Sequence, residues 1–476
     1  MRKATRGVIV ASAVTALAAT AVAVTPAHAS PDRPLDYQAQ VIDPLVQGAA
    51  SNQTADVIRD ERPELIVSVY DEYTVVGGEA VLQPGSLYIY TNRSKKHLGA
   101  SAAKKETLEN WERITVFGPE ENIVFPSQVQ VADVDGDGDQ DLLHGGGFFW
   151  DSNLGINRGT ITWWENDHPN GKKWIRHSVR TESPGSYHNL DYKDLDGDGI
   201  KDIVTVAEQG MTRQSFADDI VELEFYKGLG GGAFADRVVL ANGGGSSPKV
   251  HDVDGDGDMD VISAQYFNVN PIVLGPPSGE GSFVWFENTD TDGTLTPSDF
   301  VEHEISRGQG PSYAIYPVPN LFGDGVLRYV GANHTNNTPG TPGPPAFLQA
   351  APNVFLLTPG ADIRAPWTVE VLADSVDPGA AFAATARAGQ AAPGKSIFRD
   401  LDGDGDLDIA TGGDGDFRAF IHEQTAPGVF HQSVLEGSEG WGQAGISVAD
   451  FNLDGKLEIA LSAFENNKVG IWKLTD

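Results

Sequence analysis

A nine-residue acidic segment recurs along this chain, and its repetition limits the available folds more than any other property of the sequence. The clearest copy, DVDGDGDQD from Asp133 to Asp141, sets five aspartates at every second position. Two unit charges about 4 Å apart repel by roughly 4 kcal/mol at the effective dielectric of a protein surface. A compact loop of this composition therefore calls for a cation. The segment returns as DLDGDGIKD from Asp194, DVDGDGDMD from Asp252, DLDGDGDLD from Asp400 and DFNLDGKLE from Asp450. Two worn copies, DVIRDERPE from Asp56 and NLFGDGVLR from Asn320, complete a series of seven units of about 64 residues each.

Each unit carries the same strand signals around its loop. An aliphatic or β-branched run follows the loop, as in LIVSVY, DIVTVA, DVISAQ, DIATGG and EIALSA, and a run such as SQVQVA or GISVA precedes it. An aromatic run comes next (LYIYTN, ITWWEN, LEFYKG, FVWFEN, VGIWKL), and then a fourth such as WERITV, WIRHSV, FVEHEI or FHQSVL. Four strands repeated seven times predict an all-β, seven-bladed β-propeller over residues 30–476. The chain ends at the aromatic run around Trp472 and lacks a fourth strand there, whereas YQAQVI, from Tyr37 to Ile42, precedes the first loop. That segment is expected to complete the last blade and leave no open sheet edge.

Residues 1–29 are set apart from the fold. Arg2, Lys3 and Arg6 precede an Ala/Val-rich apolar run that ends in TPAHAS, the pattern of a secretory signal peptide cleaved after Ala29. The protein is thus expected to be secreted and extracellular, with no membrane span. The 447 residues that remain contain no cysteine, so packing and bound cations, not disulfides, must stabilise it outside the cell. A net charge of −34 argues against nucleic acid and anionic membranes as partners.

Spacing distinguishes the loops from the twelve-residue helix-flanked calcium loop, which needs a bidentate Glu at position 12. Here position 12 holds His144, Thr205, Ser263, Thr411 and Leu461, and a strand follows. The acidic residue falls at position 9. Side-chain oxygens at 1, 3, 5 and 9 with the backbone carbonyl at 7 form a hard, all-oxygen shell that favours Ca2+ over zinc or magnesium, and Gly at 6 permits the sharp turn.

In these loops the chain resembles the FG-GAP and VCBS repeat family, found in integrin α subunits, a seven-bladed fungal lectin and secreted carbohydrate-active proteins. The resemblance spans the chain from about residue 36, although the literal Phe-Gly and Gly-Ala-Pro motifs of integrins are absent. It implies calcium at Asp133, Asp135, Asp137 and Asp141; at Asp194, Asp196, Asp198 and Asp202; at Asp252, Asp254, Asp256 and Asp260; at Asp400, Asp402, Asp404 and Asp408; and at Asp450, Asn452, Asp454 and Glu458. The position-7 carbonyls belong to Asp139, Ile200, Asp258, Asp406 and Lys456. Phe322 and Arg328 in the fifth unit, and Ile58 and Arg59 in the first, break the pattern, so about five calcium sites are expected, all structural.

Function is expected on the opposite face, which in this family receives the starts of the inner strands and the ends of the second strands. Gln128, His188, Lys249, Tyr316, Lys395 and Gln443 occupy the former positions, and Glu208, Tyr266, His334, Asp414 and Glu465 the latter. His188, His334, Lys249, Lys395 and Asp414 are the candidate catalytic or binding residues. His177, His303 and His431, in outer strands, are expected to face solvent or pack on a neighbour, and His144 is either a strand residue or a ligand. The WWEN aromatics are expected between blades, in grooves that a lectin could also use. No Gly-x-Ser-x-Gly, His-Glu-x-x-His or P-loop pattern occurs.

Two functions fit. One is a binding propeller, expected as a monomer, whose partner is a glycan or an extracellular protein. The other is a polysaccharide lyase or sugar dehydratase, in which a His or Lys beside a carboxylate abstracts a proton next to a sugar carbonyl or uronate. The second requires His188 or His334 within hydrogen-bond reach of a carboxylate or bound metal.

Overall fold

The computed structural model describes residues 35–70, 73–76, 79–93, 108–147, 150–151, 156–168, 171–209, 220–266, 281–333, 353–373, 393–413, 418–441, 443–464 and 466–475. The expected signal peptide lies outside them. Within them the chain forms seven antiparallel four-stranded sheets in sequence, with two 3-10 turns and no α-helix. The seven sheets are the blades of an all-β propeller.

Every blade is built alike. In blade 4 the strands are Lys249–His251, Asp260–Ala264, Phe283–Asn288 and Phe300–Ser306, paired in that order. The second and third of these are fully buried, whereas the outer strand is buried at its ends and partly exposed between them. This gradient explains the composition of the runs: aliphatic and aromatic side chains that fit a pleated, two-sided buried surface occupy the middle strands.

Seven of the apolar clusters correspond to the seven blade-to-blade contacts. Consecutive aromatics serve different contacts because successive side chains point to opposite faces of a strand. Trp163 packs with Leu190 and Ile203 of blade 3, while its neighbour Trp164 packs with Ile66 and Ile89 of blade 1. Trp285 and Phe286 divide in the same way between blades 5 and 3. The WWEN-type aromatics are therefore inter-blade core, as expected.

The ring closes through the N-terminal strand. Tyr37–Asp43 pairs antiparallel with Lys468–Leu474, with Tyr37 opposite Leu474 and Gln40 opposite Ile471, completing the blade of Gln443–Ala449 and Glu458–Ala463. Across the seam to blade 1, Gly445 runs so close to the neighbouring backbone that a Cβ there would lie 2.4 Å from the Ala50 carbonyl oxygen.

The acidic loops and the central channel

Each acidic loop joins the first strand of a blade to its second, so all of them lie on one face of the ring. The position-9 carboxylate is the structural centre. In blade 2, Asp141 is buried, accepts the Val134 N–H at 2.8 Å with one oxygen and accepts the Asn166 N–H of the third strand at 2.9 Å with the other. Asp202, Asp260 and Asp408 make the equivalent pair of bonds, and Glu458 and the worn loop's Glu64 retain the first. Burial raises these carboxyls, Asp141 and Asp202 to about 6 and Asp260 and Asp408 to about 7.

The rest of the loop folds on its own carboxylates. Asp133 accepts the N–H groups of Gly136 and Gly138, and Asp135 and Asp137 each accept the N–H two residues on. Gly136 and Gly138 adopt φ of 84° and 95°, in the region that only glycine enters freely. The position-7 residues Asp139, Ile200, Asp258, Asp406 and Lys456 donate their N–H groups to the position-5 carboxylates.

Fitness for a cation differs between loops. Ligand oxygens of positions 1, 3 and 9 lie within 4.8 Å of one another in blades 2, 3 and 4 (Asp133, Asp135, Asp141; Asp194, Asp196, Asp202; Asp252, Asp254, Asp260), and those of positions 1, 3 and 5 do so in blade 6 (Asp400, Asp402, Asp404). The carboxylates of the blade 7 loop are not among the clusters found in the described residues. There Asn452 donates to Glu458 Oε1 at 3.1 Å, and Lys473 pairs with Asp454 and approaches Glu458 at 3.7 Å.

Lys473 marks a position that reading the loops alone missed. It stands opposite Glu458 in the third strand. The residue at that register is Glu165, Glu287 and Glu423 in blades 2, 4 and 6, but Lys227 in blade 3. Lys227 pairs with Asp196 and, at 2.7 Å, with Asp198, which pulls the Asp198 carboxyl down. The two loops with a lysine thus carry an ammonium of their own, while the three with a glutamate have one more carboxylate nearby. Glu165 and Glu287 accept from His177 and His303 at 2.8 and 2.7 Å, and those imidazoles stack on Trp163 and Trp285. In blade 4, Arg364 also reaches across from blade 5 to Glu287 and to Asp254 at 2.7 Å. The worn loop of blade 5 is closed by Arg328, which forms two 2.6 Å bonds to Asp324, whereas Arg59 of the blade 1 loop reaches across to Asp139 in the loop of blade 2. The carboxylate clusters of blades 2, 3, 4 and 6 offer the all-oxygen set that suits calcium, but a basic side chain already pairs with a ligand carboxylate in blade 3 (Lys227) and blade 4 (Arg364), as Lys473 does in blade 7.

The inner strands enclose a channel of about 780 Å³ along the ring axis. Gln128, Lys249, Tyr316 and Lys395 line it, as the repeat positions predict. Lys395 is 9% exposed, and its amine donates to Asn52 O at 2.7 Å and Gln53 Oε1 at 3.3 Å. Burial, helped by the charge of Lys249, brings it down to about 7.

His188 is placed elsewhere. It meets Phe125 edge-on at 5.7 Å and Tyr313 at 6.5 Å, in a succession of rings that continues from Phe125 to Tyr70 at 3.6 Å and on to Phe464 at 6.1 Å. The neighbouring Asn189 lines the channel instead. Both His188 and Tyr313 sit at shifts of strand register, between Tyr187 and Leu190 and between Ser312 and Ala314, and such bulges re-aim side chains. Glu208 is buried and accepts from Ser246 Oγ at 3.0 Å, and Tyr266 packs half-buried against the cluster between blades 3 and 4. Gln443 begins the inner strand of blade 7. His334, Asp414 and Glu465 lie outside the described residues. His144 is a core residue, stacked on Phe117, accepting from Trp164 Nε1 at 3.1 Å and held down to about 4 by burial.

Residues 400–461 match the FG-GAP-like repeat family, and with the seven-bladed ring they fit an FG-GAP repeat family. No curated protein matches the chain. Among solved structures, the chain is similar to BBS1N in complex with ARL6DN, at 8% identity and a TM-score of 0.45 over 93% of this chain and 96% of that one. It is also similar to the GH93 α-L-arabinofuranosidase of Fusarium graminearum in complex with arabinobiose, at 10% identity and a TM-score of 0.43 over 92% of this chain and 98% of that one.

Proposed function

We propose that the protein is a secreted, calcium-stabilised propeller that binds carbohydrate through the channel and its mouth, on the face opposite the acidic loops. Asp133, Asp135 and Asp141, with their counterparts in blades 4 and 6, would hold the ions, whose part is to neutralise and stiffen the hairpins. The observation that carries the binding reading is the channel itself. Its amide, hydroxyl and amine groups come from strands of a rigid ring and match the hydroxyl groups of a sugar. An extracellular protein partner is the other outcome of the test.

Calorimetric titration of the protein with a panel of oligosaccharides tests this, with the channel-lining substitutions Gln128→Ala and Gln130→Ala as variants. A bound glycan whose affinity falls about tenfold in either variant, at unchanged melting temperature, supports the reading. Full affinity in both, or no binding to any glycan, overturns it. The lyase or dehydratase alternative calls for a His or Lys beside a carboxylate; His188 lies among aromatic rings, His334 is outside the described residues, and Lys395 donates only to Asn52 O and Gln53 Oε1, so it would be supported only by release of an unsaturated sugar that is lost in Lys395→Met.

A further inference from the structure

The charge of the channel contradicts the charge of the chain. Acidic residues outnumber basic ones 67 to 33. Yet the channel is lined by Lys193, Lys249, Lys395, Arg399 and His251 and, among the described residues, by no carboxylate. An acidic protein has many carboxylates to place beside these cations, and here the inner strands present amides, hydroxyls and aliphatic groups instead.

The cations are also left largely without counter-charge. Lys395 donates only to neutral oxygens, Asn52 O and Gln53 Oε1. Arg399 donates to the Phe398 carbonyl at 2.8 Å, and Lys193 to the Val250 carbonyl at 2.7 Å. Lys193 has Asp191 at 3.7 Å, which is committed to the Val250 N–H at 2.8 Å, and His251 has Asp252 beside it. Lys249, half-buried, makes no ion pair or hydrogen bond among the described residues. A buried ammonium among neutral acceptors is costly unless an anion joins it.

We propose that the channel binds an acidic saccharide, with its carboxylate or sulfate between Lys249 and Lys395 and its hydroxyl groups against the amides of Gln53, Gln128, Gln130 and Asn189. The inference rests on the glycan reading above and narrows it to anionic sugars. The channel volume of about 780 Å³ suits a short oligosaccharide. The depressed basicity of Lys395 agrees, because a bound anion would restore the charged amine.

Calorimetry of the calcium-loaded protein with three probes decides it: a galacturonate trimer, the uncharged maltotriose and sodium sulfate, each repeated with Lys249→Met and Lys395→Met. Lys249→Gln provides a half-exposed substitution should Lys395→Met fail to fold. The expected result is binding of the galacturonate trimer at least tenfold tighter than maltotriose, a loss of about tenfold in each variant, and competition by sulfate. Equal affinity for the two trimers, unaffected by the lysine variants, overturns the anionic ligand and leaves the glycan reading standing. Lysine-dependent binding of sulfate with neither trimer bound supports the anion site and overturns the saccharide. No binding of any probe overturns both.

Discussion

Lys227 and Lys473 stand where Glu165, Glu287 and Glu423 stand in other blades, and this one position divides the acidic loops into two electrostatic kinds. A calcium ion entering the blade 3 or blade 7 loop meets an ammonium already paired to its ligands, whereas in blades 2 and 6 it meets an added carboxylate and in blade 4 one that Arg364 already pairs. Replacing Lys227 and Lys473 by Glu changes the local charge by two at each loop. If these loops take calcium, the double variant is expected to bind it there about tenfold more tightly, the ratio that roughly 1.4 kcal/mol produces, and to melt lower than the parent in chelator. Calcium titration of the chelated protein measures the first and a melting curve the second. Unchanged affinity would show that the lysines do not compete with the ion.

At the level of the strand, the critical element is Tyr37–Asp43, because it is contributed from the other end of the chain and covers the edge formed by Lys468–Leu474. Tyr37 also fills the cluster between blades 6 and 7 with Trp441 and Trp472. Removing residues 30–45 uncovers a strand edge and this apolar surface together, and both favour association with other chains. The truncated protein is expected to aggregate, or to lose its single cooperative transition, in size-exclusion chromatography and thermal melting. A monomer of parental stability would place the closure elsewhere.

The whole ring depends on its loops, because each joins the two strands nearest the axis. If the loops take calcium, excess EGTA lowers the melting temperature by mass action, and the loss depends on pH with a definite sign. The ion requires position-9 carboxylates in their charged form, and burial holds the ion-free groups at about 6 for Asp141 and Asp202 and about 7 for Asp260 and Asp408. Above pH 8 they are charged and the ion binds without displacing protons; as pH falls through 7 to 6, protons compete. The gap between melting temperatures with calcium and with EGTA is therefore expected to be widest near pH 8 and to shrink towards pH 6. No gap at all would remove calcium from the stability of this fold, and a gap independent of pH would show that the ion does not compete with protons at the position-9 carboxylates.

The sequence by itself determined the seven-fold unit, the order of the strands, the face that carries the acid and the segment that closes the ring. The first three depend on residues close together in the chain (a hairpin loop, the strand pair on either side, an alternation of period two), and the closure follows from counting strands per unit, which leaves the last blade one short and the first segment one over. What required the tertiary structure is what brings distant residues to one place. Arg364 reaches Asp254 from the adjoining blade, 110 residues away, and no local pattern marks it. The Glu-or-Lys choice was visible in WWEN against FYKG, but its meaning depends on the pairing of the third strand with the second. His188 and Asn189 are neighbours in the chain, yet across the bulge between Tyr187 and Leu190 His188 meets aromatic rings and Asn189 lines the channel. A register shift of one residue exchanges the two faces of a strand, and that is decided by how the blades pack around the axis.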